Sequence, residues 1–145
     1  MEGLVLRQEA AVYRYALIGG MVETSEVIAW ADAWIWRLDE YPDVLVDVSL
    51  GASRDCDLFA ALAELAEKPI SNEVLALLCR MMAAFVLKYP EKLETVTQLL
   101  ERLALDGVFP EEGRSEALRF DDARCLAEDG IFDIKAVQDE VLAFL

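Results

Sequence analysis

Residues 74–87 read Val-Leu-Ala-Leu-Leu-Cys-Arg-Met-Met-Ala-Ala-Phe-Val-Leu, with Arg80 the one charge in the run. The stretch is too short for a membrane span of about 20 residues. It has no apolar–polar alternation, so it does not read as a half-buried strand. It reads as a helix from Ser71 or Asn72, as N-cap, to Lys88. We expect that helix at the centre of the fold, with Leu77, Leu78, Met81 and Phe85 in the core. The surrounding charge agrees. Residues 51–100 carry five basic and seven acidic side chains, residues 1–50 carry three and nine, and residues 101–145 carry five and twelve. The near-neutral middle suits a core, and the outer thirds supply an anionic surface.

Helical spacing continues on both sides. On the N-terminal side a helix is expected over Leu4–Ile18, stopped by Gly19-Gly20. A second, capped by Thr24 or Ser25, carries Val27, Ile28, Ala31, Trp34, Ile35 and Leu38 on one face. Pro42 suits the first turn of the next helix. Val44, Val46 and Val48 alternate like a strand, but a lone strand has no partner, so a short helix ended by Gly51 is preferred. Ser53 or Asp55 then caps a helix through Glu67, stopped before Pro69. On the C-terminal side Pro90 opens a helix that ends near Gly107. Residues 107–113 read as a loop. A helix is expected from about Ser115 to Ala127, with a break at Phe120-Asp121, and Gly130 ends it. A last helix runs from Asp133, as N-cap, to Phe144. The expectation is an all-α single domain over 1–145: a compact orthogonal bundle of seven to nine short helices, with solenoid-like hairpins as the alternative.

Composition narrows function. The chain has 145 residues, 56% of them apolar, a formal charge of −15 and no histidine. The apolar share supports a folded core rather than an acidic disordered tail. The charge repels phosphates, so nucleic acid is not an expected ligand, and no membrane partner is expected. Without histidine there is no Ser–His or Cys–His nucleophile system, and no phosphate-binding glycine motif is present. The three cysteines, Cys56, Cys79 and Cys125, form no CxxC pair, and Cys79 reads as a buried small hydrophobe. Reduced thiols and a cytoplasmic location are expected. Met1–Arg7 has no basic start leading into an apolar run, so no signal peptide is read there. We expect no catalytic residue, no cofactor and no metal. Asp121, Asp122, Glu128, Asp129 and Asp133 are dense but lack the EF-hand spacing, and they read as caps and a solvated face.

The aromatic residues separate by position. Trp34 falls within the apolar face of the second helix. Trp30 lies on its flank. Trp36 lies roughly 140° from the centre of that face, beside Asp32. An exposed tryptophan among acids suits an interface anchor, and burial under another helix is the competing reading. Asp39, Glu40, Tyr41, Asp43 and Asp47 crowd the following turn, and Glu111, Glu112 and Glu116 crowd the late loop and the helix after it. Acids beside an aromatic match a Lys/Arg-rich protein surface, against which ordinary solubility charge is the plainer reading.

Two segments together resemble a known class. Val27-Ile28-Ala29-Trp30-Ala31-Asp32 with Pro42 and Asp47-Val48-Ser49-Leu50 form the first. Leu118-Arg119-Phe120-Asp121-Asp122 with Leu126-Ala127-Glu128-Asp129-Gly130-Ile131 form the second. They are similar to small helical bacterial immunity proteins encoded beside polymorphic or contact-delivered toxins. The resemblance implies a cytoplasmic, non-enzymatic inhibitor that binds and neutralises a cognate toxin. That class shares no catalytic motif, so no residue role carries over. The expected function is therefore an immunity protein for a basic toxin domain, as a monomer or weak homodimer. An acidic adaptor or chaperone for a secreted effector is the alternative, and a carboxylate-only enzyme the third.

Overall fold

In the computed structural model, residues 2–51 and 55–145 are described, with the backbone alone at Asp55 and Cys56. Among them are eight α-helices, one 3-10 turn and no strand. The chain is all-α, as the spacing predicts. It divides within the fifth helix into two compact units, Met1–Val74 and Leu75–Leu145.

The N-terminal unit holds α1 (Glu2–Gly19), α2 (Thr24–Arg37), α3 (Asp43–Ser49) and α4 (Asp55–Leu65). Helix α4 packs on α1 and α3, and α2 packs on α3 and α1. One cluster joins all four: Leu6 and Ala10, then Val27, Trp30, Ala31 and Trp34, then Leu45 and Val48, then Leu58, Ala61, Leu62 and Leu65. Every helix thus contributes residues three or four apart, which is the spacing of one helical face. Trp30 belongs to this core, not to a flank. The face is widened because Trp30 packs against Tyr13 of α1, ring centroids 4.9 Å apart.

The valine-rich segment is helical, as preferred over a strand. It ends at Gly51, whose φ of 73° is open to glycine, and an added Cβ would sit 2.8 Å from Cδ1 of Ile28. The cap of α2 is Glu23, not Thr24 or Ser25. The Glu23 N–H donates to Oε2 of Glu26 at 2.7 Å, because the acid three positions on reaches back over the first turn. The Ser53 or Asp55 cap lies outside the described residues.

Helix α5 (Asn72–Lys88) has the predicted bounds, and Ser71 Oγ accepts the N–H of Val74 at 3.3 Å. Its burial corrects the expectation of a central helix. Val74, Leu78, Met82 and Val86 are buried, one row at i, i+4. Of the four residues expected in the core only Leu78 is buried. Leu77 is exposed, and Met81 and Phe85 are half-buried. Apolar residues on every side of a helix do not say which side is covered. Cys79 is half-buried and Cys125 exposed, both as free thiols. The side chain of Cys56 lies outside the described residues.

After α5 come the 3-10 turn Pro90–Lys92, α6 (Leu93–Leu105), α7 (Glu111–Glu128) and α8 (Ile134–Phe144). The most extensive helix pairing of the C-terminal unit is α6 on α7. Leu93, Val96, Leu99, Leu100, Leu103 and Ala104 of α6 are buried, as are Ala117, Phe120 and Ala123 of α7 and Val137 and Val141 of α8. Phe144 places its ring edge-on to Phe109 and Phe120, with centroids 5.5 and 5.3 Å away.

Two sequence expectations fail in α7. The helix starts at Glu111, so Glu111 and Glu112 form its first turn rather than a loop, and it runs unbroken through Phe120-Asp121. Pro110 precedes the first turn, where carboxylates favour the helix dipole. Asp121 does not start a new turn, because its side chain is bound to Arg124. Asp133 caps α8 as expected, accepting from the N–H of Lys135 at 3.2 Å.

Candidate functional site

The strongest site in the N-terminal unit is built on the end of α2. Trp30 and Trp34 point inward, and their indole N–H groups both donate to Oε2 of Glu9, at 3.2 and 2.7 Å. Buried indoles need such acceptors. Arg37 lies over the Trp34 ring, 4.6 Å from its centroid, and its Nε is 3.4 Å from Glu2. Tyr13, beside Trp30, has its pKa raised by burial first and then by Glu9 and Glu26.

Trp36 is on the opposite side. It is 89% exposed. Ala29, Asp32 and Ala33 are among the other exposed positions of α2, and Asp32 stands one helical turn before Trp36 on the same face. Asp32 accepts a hydrogen bond from the Ser49 hydroxyl, which ties the carboxylate to the end of α3. Asp39, Glu40 and Tyr41 are exposed in the connection after α2, and Asp43 and Asp47 are exposed one turn apart on α3. Leu50, at the end of α3, is exposed as well.

No ion pair among the described residues engages Asp32, Asp39, Glu40, Asp43 or Asp47. The one nearby cation in sequence, Arg37, is held by Glu2 and the Trp34 face. Five carboxylates without an ion pair among the described residues and an exposed indole thus lie on α2, α3 and the connection between them. A carboxylate field attracts Lys and Arg, and an indole face takes a cation by its quadrupole.

The second predicted acidic group lies in the C-terminal unit and is arranged differently. Glu111 and Glu112 are exposed in the first turn of α7. Glu116 is 3.9 Å from Arg119, which also pairs with Glu140 at 3.2 Å. These three residues, with Ala143 and Phe144, line an open depression of about 430 Å³. Farther along α7, Asp121 and Glu128 bind Arg124, whose side chain is buried. Arg124 Nε also donates to Thr97 Oγ1 at 3.1 Å, linking α7 to α6. Burial alone would lower the pKa of Arg124, but Glu128 and Asp121 raise it above its ordinary value. Asp122, Asp129 and Asp133 are exposed. No group of three or more acidic, histidine or cysteine side chains that could hold a metal occurs among the described residues, and no helix among them is long and apolar enough to cross a membrane.

Sequence reasoning missed Glu9 as the shared acceptor of two indoles and Arg124 as a buried cation. The Glu9 contacts and the burial of Arg124 against Thr97 depend on helices meeting across more than 20 positions, which local spacing does not encode, whereas the Asp121 and Glu128 pairs of Arg124 lie at the i+3 and i+4 spacing of one helix. It also missed Ile131 and Phe132, which are exposed after Gly130. Their signal was present: an apolar pair sits directly after a helix stop.

Compared with known proteins, the chain matches no family model, no curated protein and no solved structure.

Proposed function

We propose that this chain is a non-enzymatic binding protein that neutralises a cognate basic toxin domain, in the manner of a bacterial immunity protein. The observation that carries the reading is the α2–α3 segment, where Trp36, Asp32, Asp39, Glu40, Asp43 and Asp47 are all exposed and none of these acids is in an ion pair among the described residues.

In this mechanism the acids meet the cationic cleft of the toxin, the surface that otherwise holds a polyanionic substrate such as a nucleic acid. They steer encounter, and Trp36 is desolvated at the centre of the contact. Glu111 and Glu112, exposed on the C-terminal unit, add to the net negative charge of the chain. Glu116, facing Arg119, adds less.

The test is co-purification with the product of the adjacent gene, together with an assay of that product's toxicity. A 1:1 complex that abolishes toxicity, and that is weakened both by Trp36→Ala and by combined reversal of Asp39, Glu40 and Asp43 to lysine, is expected. A complex that leaves the toxin active, or that holds it unfolded on a dimer of this chain, would favour an adaptor or chaperone and overturn the immunity reading.

A further inference from the structure

Helix α7 ends in a rigid turn that holds apolar side chains in solvent. Gly130 has φ of 81°, its N–H donates to the carbonyl of Ala127 at 3.0 Å, and the Ile131 N–H donates to that of Leu126 at 2.9 Å. This is a Schellman closure, and the residue at the Ile131 position ordinarily folds back on the helix it ends. Among the described residues, two other helices close in this way. After α1, Gly20 and Met21 donate to Leu17 and Ala16, and after α6, Gly107 and Val108 donate to Ala104 and Leu103. Met21 and Val108 are half-buried. Ile131 instead is 64% exposed, followed by Phe132 at 50% and Ile134 at 40%. Asp133, between them, is fixed by its cap on Lys135. The three side chains are thus displayed by a turn pinned at both ends, and folding of the unit leaves them uncovered.

Charge around the turn narrows what covers them. Glu128, Asp129 and Asp133 are exposed beside the apolar residues. Glu128 is paired with Arg124, and the one local lysine, Lys135, is 3.1 Å from Asp139. Asp129 and Asp133 stay unpaired by any cation among the described residues. A second copy of a chain with net charge −15 would bring the same acids against them. An anionic lipid surface would be repelled likewise.

We infer that the Ile131–Phe132–Ile134 turn is a docking surface for a segment of another protein that carries apolar side chains flanked by lysine or arginine. It lies in the C-terminal unit and does not rest on the role given to Trp36. A basic amphipathic helix meets both requirements, placing its apolar stripe on the three side chains and its cations near Asp129 and Asp133.

The experiment titrates the full chain with a synthetic leucine–lysine amphipathic peptide, followed by fluorescence anisotropy of the labelled peptide. Combined Ile131→Ser and Phe132→Ser should weaken binding about tenfold or more with unchanged circular dichroism and Tm, since both residues are exposed. Trp36→Ala should leave this binding in place. A peptide with glutamine for lysine should bind more weakly.

Equal binding by the double variant would overturn the inference. Loss of binding in Trp36→Ala instead would overturn it while sparing the reading of the α2–α3 hairpin. Two further results would assign the turn a different occupant and overturn it: self-association in sedimentation equilibrium that the double variant abolishes, or binding to phosphatidylserine–phosphatidylcholine vesicles without peptide binding.

Discussion

Helix α7 and the α2–α3 segment are both densely acidic, and they differ in how many of their carboxylates are paired: three of the six acids of α7 are in ion pairs among the described residues, and none of the five at residues 32–47 of the α2–α3 segment is. On α7, Asp121 and Glu128 hold the buried Arg124, while Glu116 and Glu140 flank Arg119. On α2, α3 and the connection between them, Asp32, Asp39, Glu40, Asp43 and Asp47 are in no ion pair among the described residues, and Trp36 is exposed. Charge count is therefore a poor guide to charge availability. What matters is whether folding brings an arginine to the acid. An acid already paired inside the unit contributes stability. An unpaired one costs the fold a little through repulsion and remains free to attract a partner.

The contrast is broken most severely at Asp121. Replacing it with alanine leaves the Arg124 guanidinium buried with Glu128 and Thr97 as its remaining oxygen partners, and should destabilise the chain by about 2 to 3 kcal/mol. Urea unfolding followed by circular dichroism measures this. A loss under about 0.5 kcal/mol would show that the network is no more structural than a surface pair.

Trp36→Ala should do the reverse. Stability should change by less than about 0.5 kcal/mol, since the side chain is exposed. Dissociation of a bound basic partner should speed up, by about 2 kcal/mol if the indole is the buried anchor of the complex. An equal loss of folding stability would place Trp36 in the core rather than at the interface.

Charge reversal at Asp39, Glu40 and Asp43 gives a kinetic version of the comparison. The folded state should be left as stable or slightly more so, because mutual repulsion is relieved. Association with a basic partner should slow, and its salt dependence should flatten. Stopped-flow mixing between low and high salt is the measurement. Association that is insensitive to salt in the parent chain would make this carboxylate field irrelevant to capture.

The smallest effect concerns Tyr13, whose pKa is raised by burial and by Glu9 and Glu26. The sign follows from linkage: the unfolded phenol loses its proton first, near pH 10, so stability is intact below that pH and falls as pH rises through the higher folded value. Tyr13→Phe should remove part of that alkaline loss in denaturation curves taken above and below pH 10. Unchanged curves would show that the indole–Glu9 cluster does not feel the phenolate.

Much of this was legible in the residues. Periodicity located the bounds of α5, and Asp133 marked the start of α8. The valine segment was helical because no second strand existed to pair with it. Trp34 fell inside because it lies on the apolar face of α2, whereas spacing put Trp36 off that face without deciding whether another helix covers it. Less legible were features that a local window does not contain. The start of α7 at Glu111 depends on dipole and proline effects that the glycines at 107 and 113 obscured. The four-residue stripe that α5 buries is not written in a sequence that is apolar on every side.

The sequence by itself determined the all-helical class, most helix limits and the anionic surface, because backbone propensity, capping and side-chain charge are local properties. Only the tertiary structure decided that Arg124 is buried, which tryptophans share Glu9 and which apolar residues stay uncovered. Each of those depends on side chains from helices distant in sequence meeting, or failing to meet, in space. Burial and charge neutralisation are properties of that meeting rather than of any residue alone.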